Sequence, residues 1–257
     1  MKWLPLALLL IGCPERREPE RGLQLVYKKP NAVPLRAAVD RRLAQLKLRA
    51  NLSEDDHTLT VRVPEGGDLS RIKALFAQRG HLEFCPENAT VAGKWCDEQW
   101  PAGVVVDSVG KTCSLLAADR SALEAALPDA GAEFAWGTSG GQASAFSITS
   151  CLSPRIVAAE VAKGQPGLML DFDRAGARDF AALTSTTVGR RLIVRLDGVV
   201  ASAPVVMEAI TGGRAVLTTG EQQREDWEVL AAALVGGALP ELELLREERW
   251  GPPSLRK

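Results

Sequence analysis

The stretch that decides the fold is LMLDFDRAGARDFAALTSTTVGRRLIVRLDGVVASAPVVM, residues 168–207. Residues 168–173 are rich in apolar side chains and predict a strand. Residues 174–189 predict a helix whose inner face carries Ala175, Phe180 and Leu183. Two further strands follow, and the Asp197-Gly198 pair between them is typical of a two-residue hairpin turn. This stretch therefore predicts a strand, a helix and a hairpin in that order.

The segments on the C-terminal side extend this unit. Gly212-Gly213 predicts a turn into the strand AVLTT, residues 215–219. A helix then carries Trp227, Val229, Leu230 and Leu234, and residues 241–248 predict the last strand. Regular strands and helices in this order indicate an α+β unit with a sheet and helices on one face.

The N-terminal part of the chain predicts a second α+β unit, with the order strand, helix, strand, strand, helix, strand. The four strands are predicted at residues 23–27, 48–52, 58–63 and 81–85. The inner faces of the two helices carry the apolar residues Leu35, Val39, Leu43, Leu46, Ile72, Leu75 and Phe76. This order is the ferredoxin-like βαββαβ pattern. The predicted fold class is therefore α+β, with a ferredoxin-like base over residues 23–85.

Residues 86–165 are less regular and link the two units. Strands are predicted at 104–107, 113–117, 133–136 and 145–149, and a short helix at 121–127. Segments rich in Gly, Ser and Pro separate them.

The first 22 residues predict export and an anchor. A basic residue and a short apolar run precede Leu10-Ile11-Gly12-Cys13, which resembles the bacterial lipobox. About 20 apolar residues are needed to span a membrane, so this run is too short for that. We predict a lipoprotein signal peptide over 1–12, lipidation of Cys13 and a charged tether over 13–22. A plain signal peptide with a chance cysteine is the alternative.

Composition limits the possible partners and the redox compartment. The net charge is −1 and no basic block occurs, which argues against a nucleic-acid partner. Besides Cys13, the chain contains Cys85, Cys96, Cys113 and Cys151. An even number in an exported chain predicts two disulfides, and we favour Cys85–Cys96 with Cys113–Cys151 among the three pairings. A zinc site that includes His81 is the alternative, although these spacings are wider than those of usual zinc motifs.

Three motifs in the C-terminal half carry a resemblance to a known family. They are RLDGVVASAPVV at 195–206, ITGGRA at 210–215 and GGALP at 236–240, with WGPPSL at 250–255. In this order they are similar to the first periplasmic domain of SecD, a part of the SecD/SecF protein-export complex. The resemblance implies a base completed by residues 241–250 and a mobile head inserted over 86–240. It also implies a non-enzymatic function without cofactors, with translocating polypeptides or Sec translocon components as partners.

The chain departs from that family at both ends. Members carry membrane-spanning helices and carboxylates that couple export to proton flow, whereas this chain has a lipobox where the first such helix would lie. The sequence stops at residue 257, where the second helix would begin. We therefore expect a stand-alone lipoprotein on the periplasmic side of a bacterial membrane. The sequence leaves open whether the inner or the outer membrane holds it.

Two short motifs keep a serine hydrolase as a remote alternative. Residues 137–141 fit the G-x-S-x-G pattern around Ser139, and Ser70 with Lys73 fits S-x-x-K. The G-x-S-x-G motif needs a histidine further along the chain, but His57 and His81 both precede Ser139. We expect a loop at Ser139 and a helix cap near Ser70.

Aromatic residues of the irregular middle are the candidates for polypeptide binding. Trp95, Trp100 and Trp136 fall there, and exposed rings would contact extended chains. The alternative is that these rings fill the core of a small, disulfide-braced subdomain. A further alternative for the whole chain is an envelope scaffold that uses the same fold for another partner.

Overall fold

The computed structural model describes residues 21–30, 33–110, 112–127, 132–163, 166–218 and 224–251. The signal peptide, Cys13 and most of the predicted tether lie outside these ranges. Within the described ranges, no helix is both long enough and apolar enough to cross a membrane.

The described residues form six helices and fourteen strands, which are numbered here in chain order. The helices are α1 Arg36–Gln45, α2 Leu69–Ala77, α3 Ala89–Asp97, α4 Arg120–Ala126, α5 Arg174–Thr187 and α6 Arg224–Gly236. The strands are β1 Gly22–Lys28, β2 Asn51–Glu54, β3 Thr58–Pro64, β4 Leu82–Pro86, β5 Val105–Val109, β6 Thr112–Ala117, β7 Glu133–Ser139, β8 Gln142–Ile148, β9 Ile156–Val161, β10 Leu168–Phe172, β11 Leu192–Leu196, β12 Val199–Ser202, β13 Arg214–Leu217 and β14 Glu243–Trp250.

The base is a four-stranded antiparallel sheet in the order β14-β1-β3-β2. Apolar residues alternate with polar ones along β3, so Leu59, Val61 and Val63 are buried against α1 and α2. Asp68 caps α2 by accepting a hydrogen bond from the Arg71 amide at 3.0 Å. The predicted α+β fold class is confirmed, and the base has the ferredoxin-like strand order with β14 as its fourth strand, as the resemblance implied.

The prediction that residues 81–85 close the base sheet is wrong. Strand β4 pairs instead with β11 in a seven-stranded sheet of the order β4-β11-β12-β7-β8-β6-β5. Because β14 already occupies the outer position next to β1, β4 cannot pair there. Leu82 and Phe84 pack in one apolar core and Cys85 in another, so β4 is buried on both faces.

The head contains this seven-stranded sheet and a three-stranded sheet in the order β13-β10-β9. Helix α5 begins at an Asp173 cap, whose carboxylate accepts from the Gly176 amide at 2.7 Å. Strands β11 and β12 form the predicted hairpin around Asp197-Gly198. The sequence analysis missed α3, which Asn88 caps, and the edge strand β9.

Helix α6 connects the two cores of the molecule. Its residues Val229 and Ala232 pack in the base, whereas Trp227 and Leu230 pack in the head. A helix that is buried on nearly all sides has two partners to pack against. Helix α6 is therefore shared between base and head, although the sequence analysis assigned it to the head alone.

The two predicted disulfides are present, but the favoured pairing is wrong. Cys85 pairs with Cys151, and Cys96 pairs with Cys113. Cys96 lies on α3, which packs against the strand that carries Cys113. Leu152 lies opposite Phe84 and exchanges two backbone hydrogen bonds with it, which places Cys151 beside Cys85. With all four thiols oxidised, the predicted zinc alternative has no cysteine ligands, and the described residues contain no cluster suited to a metal ion.

Candidate functional site

The three tryptophans proposed for polypeptide binding lie in or against the apolar core of one part of the head, here called the lobe, residues 87–150. Trp95 is 3% exposed, and its ring centroid lies 6.1 Å from that of Trp100 in an edge-to-face arrangement. The Trp100 indole N–H donates to the Trp95 carbonyl at 3.0 Å. The Arg120 guanidinium lies 4.6 Å from the ring centroid of Trp136. Trp95 thus fills the lobe core, whereas the half-buried Trp100 and Trp136 keep one side accessible.

The structure does not build a catalytic site around the serines that the sequence singled out. The Ser70 hydroxyl donates to the Asp68 carboxylate at 2.8 Å, within the cap of α2. Ser139 ends β7 at an exposed hairpin turn with Gly140 and Gly141. Both positions match the structural alternatives stated from the sequence.

A different serine lies beside His81. The Ser153 Oγ is 3.4 Å from the His81 Nε2, and the Glu83 carboxylate is 4.0 Å from the His81 Nδ1. However, Glu83 forms a 3.0 Å ion pair with Arg195. Pro154 follows Ser153 and has no N–H to bind an oxyanion. This group of side chains lacks the arrangement that a nucleophilic serine needs.

The outer face of the three-stranded head sheet carries an exposed apolar surface. Val157, Met169 and Val216 are 50%, 40% and 45% exposed, and Met169 lies directly opposite Val216. We call these three residues the apolar face. The opposite side of the sheet is buried against α5 and α6. Met169 and Val216 form the continuous part of this face, because the exposed Glu160 of β9 lies opposite Met169 and Val157 lies further along β9. The pair of large apolar side chains suits contact with apolar side chains of another chain.

An ion pair borders the apolar face. The Arg214 guanidinium lies 2.6 Å from the Asp171 carboxylate on the neighbouring strand. The two charges oppose each other directly in the register of the sheet. This pair is neutral overall, whereas the exposed Glu160 opposite Met169 adds a carboxylate to the border of the face.

The position of the head depends on a junction where two connections between base and head meet. Residues 78–81 lead from α2 to β4, and residues 237–242 lead from α6 to β14. The Leu239 amide donates to the Arg79 carbonyl at 2.8 Å, so the two connections bond directly to each other.

Arg42 holds both connections from inside the base. Its side chain is fully buried and donates to the carbonyl oxygens of Leu75, Gln78, Arg79 and Gly237 at 2.5–3.2 Å. Burial lowers the pKa of Arg42 to about 10, and the negative charge of Asp197 opposes this effect. The guanidinium therefore stays charged at neutral pH.

Asp197 holds the same junction from the head. Its carboxylate accepts from the amides of Arg79 and His81 at 3.0 and 2.7 Å, and its own amide donates to the His81 carbonyl at 2.8 Å. Its φ of 54° lies in the left-handed region, which aspartate tolerates better than most residues. The Asp-Gly turn thus fixes the chain between base and head as well as forming a hairpin.

Two glycines allow close packing at this junction: Gly236 where α6 meets α1, and Gly80 where the connection after α2 meets α6. A Cβ at Gly236 would lie 2.2 Å from the Arg42 Cγ, and one at Gly80 would lie 2.7 Å from the Ala233 carbonyl oxygen. The motifs RLDG and GGALP, which carried the resemblance, therefore meet at one place in the fold. The sequence analysis missed the role of Arg42. The signal was its position three residues after Val39, on the side of α1 that carries the buried apolar residues.

Comparison with known proteins identifies the class to which this head is similar. Residues 154–241 match the family profile described as SecDF, P1 head subdomain. These residues include the apolar face, Asp197 and the glycines of GGALP.

The relatives that match are protein-translocase subunits. The chain is 44% identical over 90 residues to the protein translocase subunit SecD of Acidaminococcus fermentans, which covers 35% of this chain and 21% of that protein. It is 42% identical over 77 residues to SecDF of Thermus thermophilus, which covers 30% of this chain and 10% of that protein. The matched segment thus spans about a fifth or less of the length of these relatives.

Two solved structures share the fold over most of the chain. The crystal structure of SecDF in its super-membrane-facing form has a TM-score of 0.61 and 22% identity, and covers 93% of this chain and 32% of that one. A structure of a membrane component SecDF that enhances protein export has a TM-score of 0.57 and 23% identity, and covers 87% of this chain and 98% of that one. The predicted resemblance to the SecD periplasmic domain is confirmed.

Proposed function

We propose that this chain acts in bacterial protein export as a non-enzymatic protein that binds extended polypeptides or Sec translocon components. The apolar face carries this proposal, because it lies within the residues that match the P1 head subdomain. Extended chains present apolar side chains that folded proteins bury, so an exposed apolar sheet face discriminates between the two.

A lipid at Cys13 would hold the domain at the periplasmic side of the membrane. Only eight positions separate Cys13 from Arg21, the first described residue. A chain of this length spans at most about 28 Å, so the domain would stay near the bilayer surface. Such confinement raises the local concentration of the binding surface where exported chains emerge.

Photo-crosslinking in living cells tests the export function. A photoreactive residue replaces Val216 while an exported protein is stalled during translocation, and Glu243 on the exposed strand β14 serves as the control position. We expect adducts with the stalled chain or with Sec subunits from position 216 but not from position 243. Adducts only with folded envelope proteins would contradict the proposal and favour a scaffold.

Metabolic labelling tests the anchor separately. Cells fed a radioactive fatty acid should label the wild-type protein, and the Cys13→Ala variant should lose both the label and membrane association. A wild-type protein that is secreted without label would show that the N-terminal segment is a plain signal peptide.

A further inference from the structure

Strand β5 is the outer strand of the seven-stranded sheet, and one side of its backbone is open. It pairs with β6 from Val105↔Leu116 to Val109↔Thr112 without a bulge. The two-residue turn Gly140-Gly141 between β7 and β8 closes on a hydrogen-bonded pair, and such pairs alternate with non-hydrogen-bonded ones. Carried across β8, this alternation makes Leu115 and Ala117 of β6 bond to β8 and leaves Ser114 and Leu116 to bond to β5. The amides and carbonyls of Val106 and Ser108 therefore point away from β6, toward solvent.

The other outer strands are protected against added strands in ways that β5 is not. Strand β14 carries five charged residues among eight, and β2 and β13 have only four residues each. Strand β9 contains a bulge in its pairing with β10. Strand β4, at the other end of the seven-stranded sheet, is covered by Leu152, which pairs with Phe84. Charges, bulges and short length are the usual protections of sheet edges.

Strand β5, VVDSV, has no bulge and carries one charged residue among five. Its only charged residue, Asp107, is paired with the buried Arg191 at 2.9 Å. Val105 is 52% exposed, and within the described residues no hydrogen bond from a turn, loop or cap reaches the backbone of Val106 or Ser108. Valine-rich strands with an open edge are strong acceptors of a further strand.

We propose that β5 binds an extended segment of an exported polypeptide as an added eighth strand of this sheet. The proposal rests on the proposed function and names the part of the head that holds the backbone of the bound chain. The amides and carbonyls of Val106 and Ser108 offer two donors and two acceptors, which any sequence in extended conformation satisfies.

Side chains next to β5 would contact the bound strand. Val106 packs against the aromatic cluster around Trp95, together with the half-buried Trp100. A side chain of the added strand that points to this face would lie beside Val106. This arrangement gives backbone recognition without sequence specificity, together with a preference for apolar side chains.

Removing one outward-pointing amide tests the proposal. Val106→Pro deletes an N–H that makes no bond to β6, whereas the control Val106→Thr keeps the amide and the β-branched shape. The probe is a fluorescent polypeptide whose cysteines have been reduced and carboxymethylated, so that it stays unfolded. Its affinity for the purified domain is measured by fluorescence anisotropy, and circular dichroism checks the folding of each variant.

We expect Val106→Pro to weaken binding at least tenfold and Val106→Thr to weaken it less than twofold. Unchanged binding by a folded Val106→Pro variant would refute the β5 proposal and leave the proposed function intact. A wild-type domain that binds no unfolded polypeptide would refute both. Loss of self-association instead of polypeptide binding, seen by sedimentation, would show that β5 pairs with a second copy.

Hydrogen exchange on the wild-type domain gives an answer that does not depend on a variant. Binding of the probe should slow exchange of the Val106 and Ser108 amides and leave the already bonded Asp107 amide nearly unchanged. Equal protection of all three, or of none, would contradict an added strand.

Discussion

The Arg42 guanidinium donates to the Gly237 carbonyl oxygen at 2.7 Å across 195 positions of the chain. The same side chain binds three carbonyl oxygens at the end of α2. One buried side chain thereby fixes both connections between base and head. The orientation of the apolar face relative to the base depends on it.

Replacing Arg42 should destabilise the whole domain. Arg42→Met removes this donor from four carbonyl oxygens, of which the Arg79 carbonyl keeps its bond from the Leu239 amide. Unsatisfied buried groups cost about 1–3 kcal/mol each. We expect a loss of roughly 3 kcal/mol or more in the free energy of unfolding, measured with urea. The control Arg36→Met removes an exposed arginine of the same helix and should cost less than about 0.5 kcal/mol. Equal effects of the two changes would contradict the role given to Arg42.

Gly236→Ala should destabilise, although alanine usually strengthens a helix by about 1 kcal/mol over glycine. The new methyl group would lie 2.2 Å from the Arg42 Cγ and 3.1 Å from the Ala38 carbonyl oxygen. Overpacking of this kind costs about 1–3 kcal/mol. Gly212→Ala is the control, because nothing lies within 4 Å of its Cβ. Thermal unfolding of both variants measures the difference, and a higher melting temperature for Gly236→Ala would contradict the close packing.

The disulfide pairing is directly measurable. Digestion without reduction should yield cross-linked peptides for Cys85–Cys151 and Cys96–Cys113 in mass spectrometry. Substituting Cys85 and Cys151 together should loosen the neck of the lobe, the place where residues 85–87 enter it and residues 148–151 leave it, and expose it to protease. Substituting Cys96 and Cys113 should affect only α3 and β6. Recovery of Cys85–Cys96 would overturn the fold of the lobe.

The stability of the base should fall at acid pH because of Glu54. Burial tends to raise the pKa of this carboxyl, but hydrogen bonds from the Lys29 ammonium and the amides of Leu35 and Arg36 lower it overall. A lowered pKa in the folded state contributes stability above the pKa of the unfolded chain, and this is lost as pH falls through the folded value.

Glu54→Gln should therefore destabilise at neutral pH, by about 3 kcal/mol, because Lys29 remains buried without a counter-charge. The difference from wild type should shrink below the ordinary pKa of a glutamate. Urea unfolding across this pH range measures it. A constant difference at all pH values would mean that the effect is not due to the charge.

Acidic substitutions in the apolar face should reduce polypeptide binding without unfolding the domain. Met169→Asp and Val216→Asp place charges at positions 40% and 45% exposed, where the cost in the free energy of unfolding should be about 1 kcal/mol. Binding of the unfolded fluorescent polypeptide should weaken severalfold. Val199→Asp, at a 59% exposed position on β12, is the matched control. Equal effects of all three would indicate a general influence of charge.

Local patterns in the sequence predicted most helices and strands. They could not predict which strands pair or which cysteines bond, because these depend on contacts between distant parts of the chain. The Asp197-Gly198 turn and the alternation along β3 depend only on neighbouring residues, so both could be predicted from the sequence. Strand β4 was assigned to the wrong sheet because its partner β11 lies more than 100 positions away. The predicted disulfide pairing was wrong for a related reason. Helix α3 was not recognised in the sequence, so its packing against β6, which brings Cys96 to Cys113, could not be predicted.

The candidate site was less accessible to sequence reasoning than the fold. A tryptophan in an irregular segment looks the same whether it is buried or exposed, and Trp95 proved to be buried. The apolar face became visible only when β9, β10 and β13 were placed side by side. Arg42 resembles a surface arginine until the carbonyl oxygens around it are known.

The neck of the lobe has a consequence for how such chains vary in length. The Cα atoms of Cys85 and Cys151 lie 4.2 Å apart, and the Pro86 carbonyl accepts from the Thr149 amide at 2.9 Å. The chain thus leaves the head and returns to it at nearly the same point. The lobe also shares a sheet with the head, because β7 pairs with β12 and Ala135 and Phe146 pack with Ile193 of β11. Changes in chain length are therefore expected in the turns between the lobe strands, where they leave both the disulfide and this pairing in place.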